Sequence, residues 1–323
     1  MAEGSISTEQ TLNLPPLKQR LKKIASGFDM RLDWAANLAN KLHLKSINAE
    51  GLNHIEELTP GKPVVFAMDS MSDINWTGAV QKLLPFRKIK IANLETNTKD
   101  PKQGIPIKAM EAGNEKIFID IDNTFDIKKN VPNMEFNPDN LRNIEEEMGK
   151  GYDFLIPAYD RTVYGHLPAR KRAGIGGVLL AHLKDVSIVP VALDIHSDEP
   201  IGRAIDIFGA TLKRLATGKR PEATLKIGKP LELEKIPREE LEDVLLLLTN
   251  RNAFNVRVIN DEGKEEVRRD QERYQKAKAN YDKLREQANT VMDAMADLLP
   301  LEKRGGWGTN SSNGNPPELP QAA

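Results

Sequence analysis

Asp69 and Asp73 stand four residues apart at the start of a predicted helix, a spacing that puts both carboxylates on one face. Two close carboxylates raise one pKa toward neutrality, the range a general base needs. A helix amino terminus stabilises the ionised form and works against that rise. A second acidic group, Asp120 and Asp122 with Thr124, follows the apolar run Ile117-Phe118-Ile119. An apolar run ending in Asp, Asn and Thr is also how a strand enters a turn. Arg170, Lys171 and Arg172 precede Gly174-Ile175-Gly176-Gly177. That basic cluster suits a phosphate at the amino end of the next helix. It equally suits a solvated turn whose glycines allow tight packing. The glycines lack dinucleotide-fingerprint spacing and predict no NAD site. His43, His54, His166, His182 and His196 are read as surface or locally hydrogen-bonded rings.

Composition narrows the setting of this chemistry. The chain has 323 residues, 39% of them hydrophobic and 29% charged, as in an ordinary globular protein with a sizeable core. Its 46 basic and 47 acidic side chains nearly cancel, so bulk charge favours no nucleic-acid partner. Without cysteine there is no disulfide, no thiolate chemistry and no Cys-based zinc site, which fits a reducing compartment. The polar start, Met1 to Gln10, has no signal-peptide core, and no run reaches the ~18 apolar residues of a spanning helix. The expected location is cytoplasmic, with any membrane contact peripheral and at the inner face.

The elements that must position these residues follow from periodicity. Residues 1–45 read as a flexible start and two amphipathic helices, the first opened by Pro15 and Pro16. Their basic faces could lie on a membrane through residues 15–42; packing on the main domain is favoured. Residues 46–255 read as one α/β domain with a largely parallel or mixed sheet. Its predicted strands are Val64–Ala67, Lys88–Ala92, Lys116–Asp120, Phe154–Pro157, Ile188–Leu193 and Thr224–Ile227. Continuous apolar runs of this kind suit strands covered on both faces. Helices are predicted at Asp139–Lys150, Gly177–Lys184 and residues 238–250. Residues 256–302 are expected to form a long helix from about 264 to 299, its heptad running from Val267 to Leu298 with Asp270 in a core slot. Such a seam packs on the chain's own domain or pairs with a second copy. Residues 303–323, rich in Gly, Asn and Pro, are expected to be a disordered tail.

Four segments in order carry a family resemblance. Lys62-Pro63-Val64-Val65-Phe66-Ala67-Met68-Asp69-Ser70-Met71-Ser72-Asp73 is similar to a strand followed by N-H-x-S-x-x-D, with Met68 at the His position. Gly113 followed by Ile117-Phe118-Ile119-Asp120-Ile121 keeps the strand of G-x-x-F-I-x-R and puts Ile121 where the Arg belongs. Ile156-Pro157-Ala158-Tyr159-Asp160-Arg161-Thr162 matches F-P-E-G-T-R-S, keeping the Pro, the Arg and a hydroxyl. Val186-Ser187-Ile188-Val189-Pro190-Val191 matches V-P-I-V-P-V almost intact. The chain from about 45 to 230 thus resembles the glycerolipid acyltransferase superfamily, which acylates glycerol-3-phosphate and lysophosphatidate.

The resemblance implies an acyltransferase-like fold and a defined set of roles. The family's His would deprotonate a glycerol hydroxyl attacking acyl-CoA or acyl carrier protein, with Asp73 orienting it. Ser70, Arg161, Thr162 and Lys171 would belong to the substrate and phosphate subsite, where a guanidinium fork suits the anion. Met68 cannot accept a proton, so the resemblance implies a catalytically impaired relative that keeps a lipid or acyl-chain ligand. An active acyltransferase with a rebuilt site is the alternative; no cofactor is expected beyond an acyl thioester as co-substrate. Asp120, Asp122 and Thr124 also resemble the D-x-D-x-T loop of haloacid dehalogenase-like phosphatases, which would imply Mg²⁺ chemistry with Asp194 and Asp198 as the nearest further carboxylates. A structural protein associating through residues 264–299 is a further alternative.

Overall fold

In the computed structural model, the described residues are 36–37, 40–41, 44–59, 61–68, 73–94, 118–121, 125–126, 131–132, 138–158, 173–196, 217–218, 220–249, 252–259, 261 and 264–308. Their strands are β1 (Ser46–Glu50), β2 (Val64–Met68), β3 (Ile89–Leu94), β4 (Phe118–Ile121), β5 (Phe125–Asp126), β6 (Val131–Pro132), β7 (Asp153–Pro157), β8 (Ser187–His196), β9 (Glu222–Ile227), β10 (Asn255–Ile259) and β11 (Glu265–Arg269). The helices are α1 (Asn53–Glu56), α2 (Asp73–Leu83), α3 (Pro138–Gly149), α4 (Gly176–Lys184), α5 (Arg238–Thr249) and α6 (Gln271–Asp297).

Seven strands form one mixed sheet in the order β1-β9-β8-β2-β7-β3-β4. From β8 to β4 every neighbouring pair is parallel; β9 turns back antiparallel on β8 and is joined in parallel by β1. This is the α/β domain expected from the apolar runs, and each of the six predicted strands has a counterpart. All five residues of β2 are buried, which is why its sequence is continuously apolar. The edge strand β1 instead alternates exposed and half-buried positions. Gly51 follows β1 with φ of +78°, and a Cβ there would lie 2.0 Å from the Ile227 carbonyl oxygen. Only glycine fits that turn.

The two faces of the sheet bury separate cores. On one face Phe66, Met68, Val189, Val191 and Leu193 meet Ala79, Val80 and Leu83 of α2. On the other, Val65, Ala67 and Ile188 meet α3, α4, α5 and α6, with Trp307 closing the layer. Connectivity explains this division. The step from β2 through α2 to β3 moves toward the β4 edge, while β4-α3-β7 and β7-α4-β8 move back toward β1. Right-handed crossovers running in opposite directions must carry their helices on opposite faces.

The helix predicted for residues 264–299 is corrected at its start. Residues 265–269 form β11, paired antiparallel with β10, so Val267 sits in a strand and outside the helical seam. Asp270 caps α6 rather than filling a core slot: its side chain accepts the Arg273 backbone N–H at 3.1 Å. Farther along, Leu284, Ala288, Val291 and Met295 are buried in the domain's own core. The first predicted amphipathic helix lies outside the described residues. In the second, Ala36 is buried, and Asn40 and Thr77 of α2 exchange buried hydrogen bonds of 2.7 Å and 3.1 Å, which anchors it to α2. The tail expected to be disordered from residue 303 is corrected at its start, where Lys303 and Trp307 are buried; residues 309–323 lie outside the described residues.

Candidate functional site at the ends of β2 and β7

β2 and β7 are parallel neighbours whose following helices leave on opposite faces, α2 on one and α4 on the other. At such a switch point α/β sheets hold ligands in the crevice outside the carboxyl ends of the two strands. Met68 ends β2 and pairs with Pro157, which ends β7, and with Val191 of β8. Directly after β7, the Ala158 N–H donates to the Met68 carbonyl at 2.8 Å. The Ala158 carbonyl in turn accepts from the Gly174 N–H at 2.8 Å. Ala158 and Gly174 are therefore bonded to each other beside Met68. Met68, which aligns with the His of the first motif, and Ala158, which aligns with the Glu of the third, are thus in direct backbone contact.

The Met68 side chain is wholly buried among the apolar residues that face α2. It fills core volume and offers no proton acceptor. Asp73 is the first residue of α2, so the amino end of that helix lies where the chain re-enters from β2. The amino end of α4 follows Gly174, and its capping position, Ile175, has no side-chain hydrogen bond. Two helix dipoles therefore present their positive ends at the crevice from opposite faces. Ser70, Arg161, Thr162 and Lys171, which the resemblance places in the substrate subsite, lie outside the described residues.

Asp120 sits farther along the same edge. Phe66, Leu155, Ile91 and Phe118 form one row across β2, β7, β3 and β4. Met68 and Asp120 each lie two residues beyond that row, three strand spacings apart, or about 14 Å. Asp122 and Thr124 lie outside the described residues, as does Asp198. The Asp194 carboxylate is already engaged, its two oxygens accepting from Lys303 at 2.6 Å and Lys226 at 3.0 Å. Burial alone would push this carboxyl up, but the two ammonium groups outweigh it and hold the pKa below the usual range. A carboxylate matched to two lysines has no charge left for Mg²⁺. Among the described residues no three His, Cys, Asp or Glu side chains converge as metal ligands.

The described histidines also have local partners. His54 Nδ1 lies 3.0 Å from the Ile227 carbonyl, and His182 Nε2 lies 2.6 Å from Gln287 of α6. Burial lowers the His182 pKa, against the pull of the Gln287 hydrogen bond. His196 stands 3.8 Å from Asp194 and 3.4 Å from the Thr224 hydroxyl, both measured at Nε2. A triad needs carboxylate and hydroxyl on opposite ring nitrogens, so this is not one.

Sequence reasoning missed the clamp at the other end of β2 and β7. Asp153 opens β7 and is buried. Its carboxylate accepts from Arg87 at 2.6 Å and 2.9 Å and from the Val64 N–H at 2.9 Å. One side chain thus ties the amino ends of β2 and β7 to the residues leading into β3. Burial is the largest influence on Asp153 and pushes its pKa up despite Arg87. No spacing signal announces a pair 66 residues apart. No helix among the described residues is long and apolar enough to cross a membrane. Neither a protein-family model nor a curated protein matches this chain.

Proposed function

We propose that this chain is a diverged relative of the glycerolipid acyltransferases that binds an anionic, apolar-tailed ligand in the β2/β7 crevice without base-driven acyl transfer. The observation that carries this reading is Met68, a buried thioether at the position where such a reaction needs an imidazole, with Ala158 bonded to it through the backbone. Losing a positioned general base costs roughly 10²–10⁴-fold in rate. Two helix amino termini at the same crevice support an anionic head group. The apolar core reaching the end of β2 supports an acyl tail beside it.

Two measurements separate binding from turnover. Purified protein is incubated with an acyl-CoA and lysophosphatidate while release of free CoA is followed. Release at the uncatalysed rate, together with lipid recovered from the protein by mass spectrometry, is the expected result. CoA release that disappears in Asp73→Ala would instead establish an active enzyme with a rebuilt site. A purified protein that carries no lipid and takes up none from vesicles would defeat the binding reading.

A further inference from the structure

The β10–β11 hairpin stands apart from the main sheet, and its five-residue second strand reads Glu265-Glu266-Val267-Arg268-Arg269. This strand is charge-palindromic: two acids, a central valine, two bases. We infer that β11 is a self-recognition edge, on which a second copy of this chain adds its own β11 antiparallel about Val267.

Charge and hydrogen-bond phase select the same register. With Val267 opposite the partner copy's equivalent residue, each Glu265 faces an Arg269 and each Glu266 faces an Arg268. Opposite charges directly across a strand pair stabilise it, and like charges destabilise it. At the base of the hairpin the Asp270 N–H donates to the Phe254 carbonyl at 2.7 Å. Antiparallel pairs alternate between hydrogen-bonded and non-bonded, so Val256 with Arg268 and Val258 with Glu266 exchange bonds inside the hairpin. The backbone groups of Glu265, Val267 and Arg269 therefore point outward. The charge-matched register sets these three opposite their symmetry mates, as ladder hydrogen bonds require. A shift by one residue would lose the hydrogen-bond match and two of the four charge pairs.

Exposure agrees with a surface of this kind. Val267 is 65% and Ile259 77% exposed, so apolar area on this hairpin is left open to solvent. An isolated hairpin is marginal in water, and four strands are better than two. The ion pairs now made within the hairpin, Arg257 with Glu265 at 3.2 Å and Arg268 with Glu266 at 2.9 Å, are solvent-exposed. Exchanging such pairs for intermolecular ones costs little. The apolar seam of α6 is buried within the chain and does not compete for this role.

Sedimentation velocity on the full chain tests the inference. Wild type is expected to dimerise reversibly. Glu265→Arg with Glu266→Arg, and separately Arg268→Glu with Arg269→Glu, should each weaken the dimer at least about tenfold by setting like charges opposite one another. Mixing the two variants should restore dimers, because each then faces its complement. Val267→Pro should also give monomers, since it removes an outward N–H while leaving the bonds to β10 in place. Unchanged thermal unfolding would show that each variant folds. A wild type that stays monomeric at every concentration, or a dimer indifferent to the charge swaps, would overturn the inference.

Discussion

The two ends of β2 and β7 are built on opposite principles. At the amino ends, the buried Asp153 carboxylate takes two guanidinium hydrogen bonds and one backbone N–H. At the carboxyl ends, the contact among the described residues is a backbone bond from Ala158 to Met68, beside a thioether in the core. The difference teaches that the polar interactions holding these strands in register are separate from the place where a ligand would sit. A site arranged in that way can lose a catalytic base without loosening the sheet that carries it.

Breaking the clamp should have the largest effect. Asp153→Ala leaves the Arg87 guanidinium and the Val64 N–H without their partner. Removing one member of a buried pair costs about 3–5 kcal/mol. Urea unfolding should show that loss with an unchanged m-value. A cost below about 1 kcal/mol would mean that water reaches the pair and that the two ends are not so different.

A second buried carboxylate sharpens the comparison through pH. Asp194 is held low by Lys303 and Lys226, with His196 also facing it, whereas burial pushes Asp153 up. A lowered native pKa gives stability that is present above the unfolded value and lost as pH falls through the native one. The stability gap between wild type and Asp194→Asn should therefore narrow from about pH 5 to about pH 2. For Asp153 the sign reverses: the native state holds its proton more tightly than the unfolded chain, so its contribution falls as pH rises through the usual carboxylate range. A gap for Asp194→Asn that is constant with pH would contradict the assignment of its ammonium partners.

The smallest effect belongs to the crevice. Met68→Leu is close to volume-conserving and should cost less than about 1.5 kcal/mol. Ligand binding should persist, because Met68 only fills core volume. Loss of binding with stability intact would mean that the thioether itself meets the ligand.

The sequence was most readable where one physical demand dominated a segment. The runs Val64–Met68, Phe154–Pro157 and Ile188–Leu193 are continuously apolar because both faces of β2, β7 and β8 are covered there, and the strand boundaries were recovered within a few residues. The start of α6 was misread because Val267 falls in heptad phase with Tyr274. The better signal was local: Asp270, three residues before Arg273, is a capping residue. The bond from Ala158 to Met68 makes neighbours of two positions picked out by motif comparison, and the parallel strands that bring them together were legible in the apolar runs. Arg87 with Asp153, and Asp194 with Lys303 across 109 residues, were not. Ion pairs between distant segments leave no periodicity, and only the folded sheet brings them together.

The central claim is that the crevice binds without base-driven transfer, and CoA release from acyl-CoA in the presence of lysophosphatidate tests it most directly. The account predicts release no faster than in the absence of protein, with no change in Asp73→Ala. Release well above that background, abolished by Asp73→Ala, would contradict it.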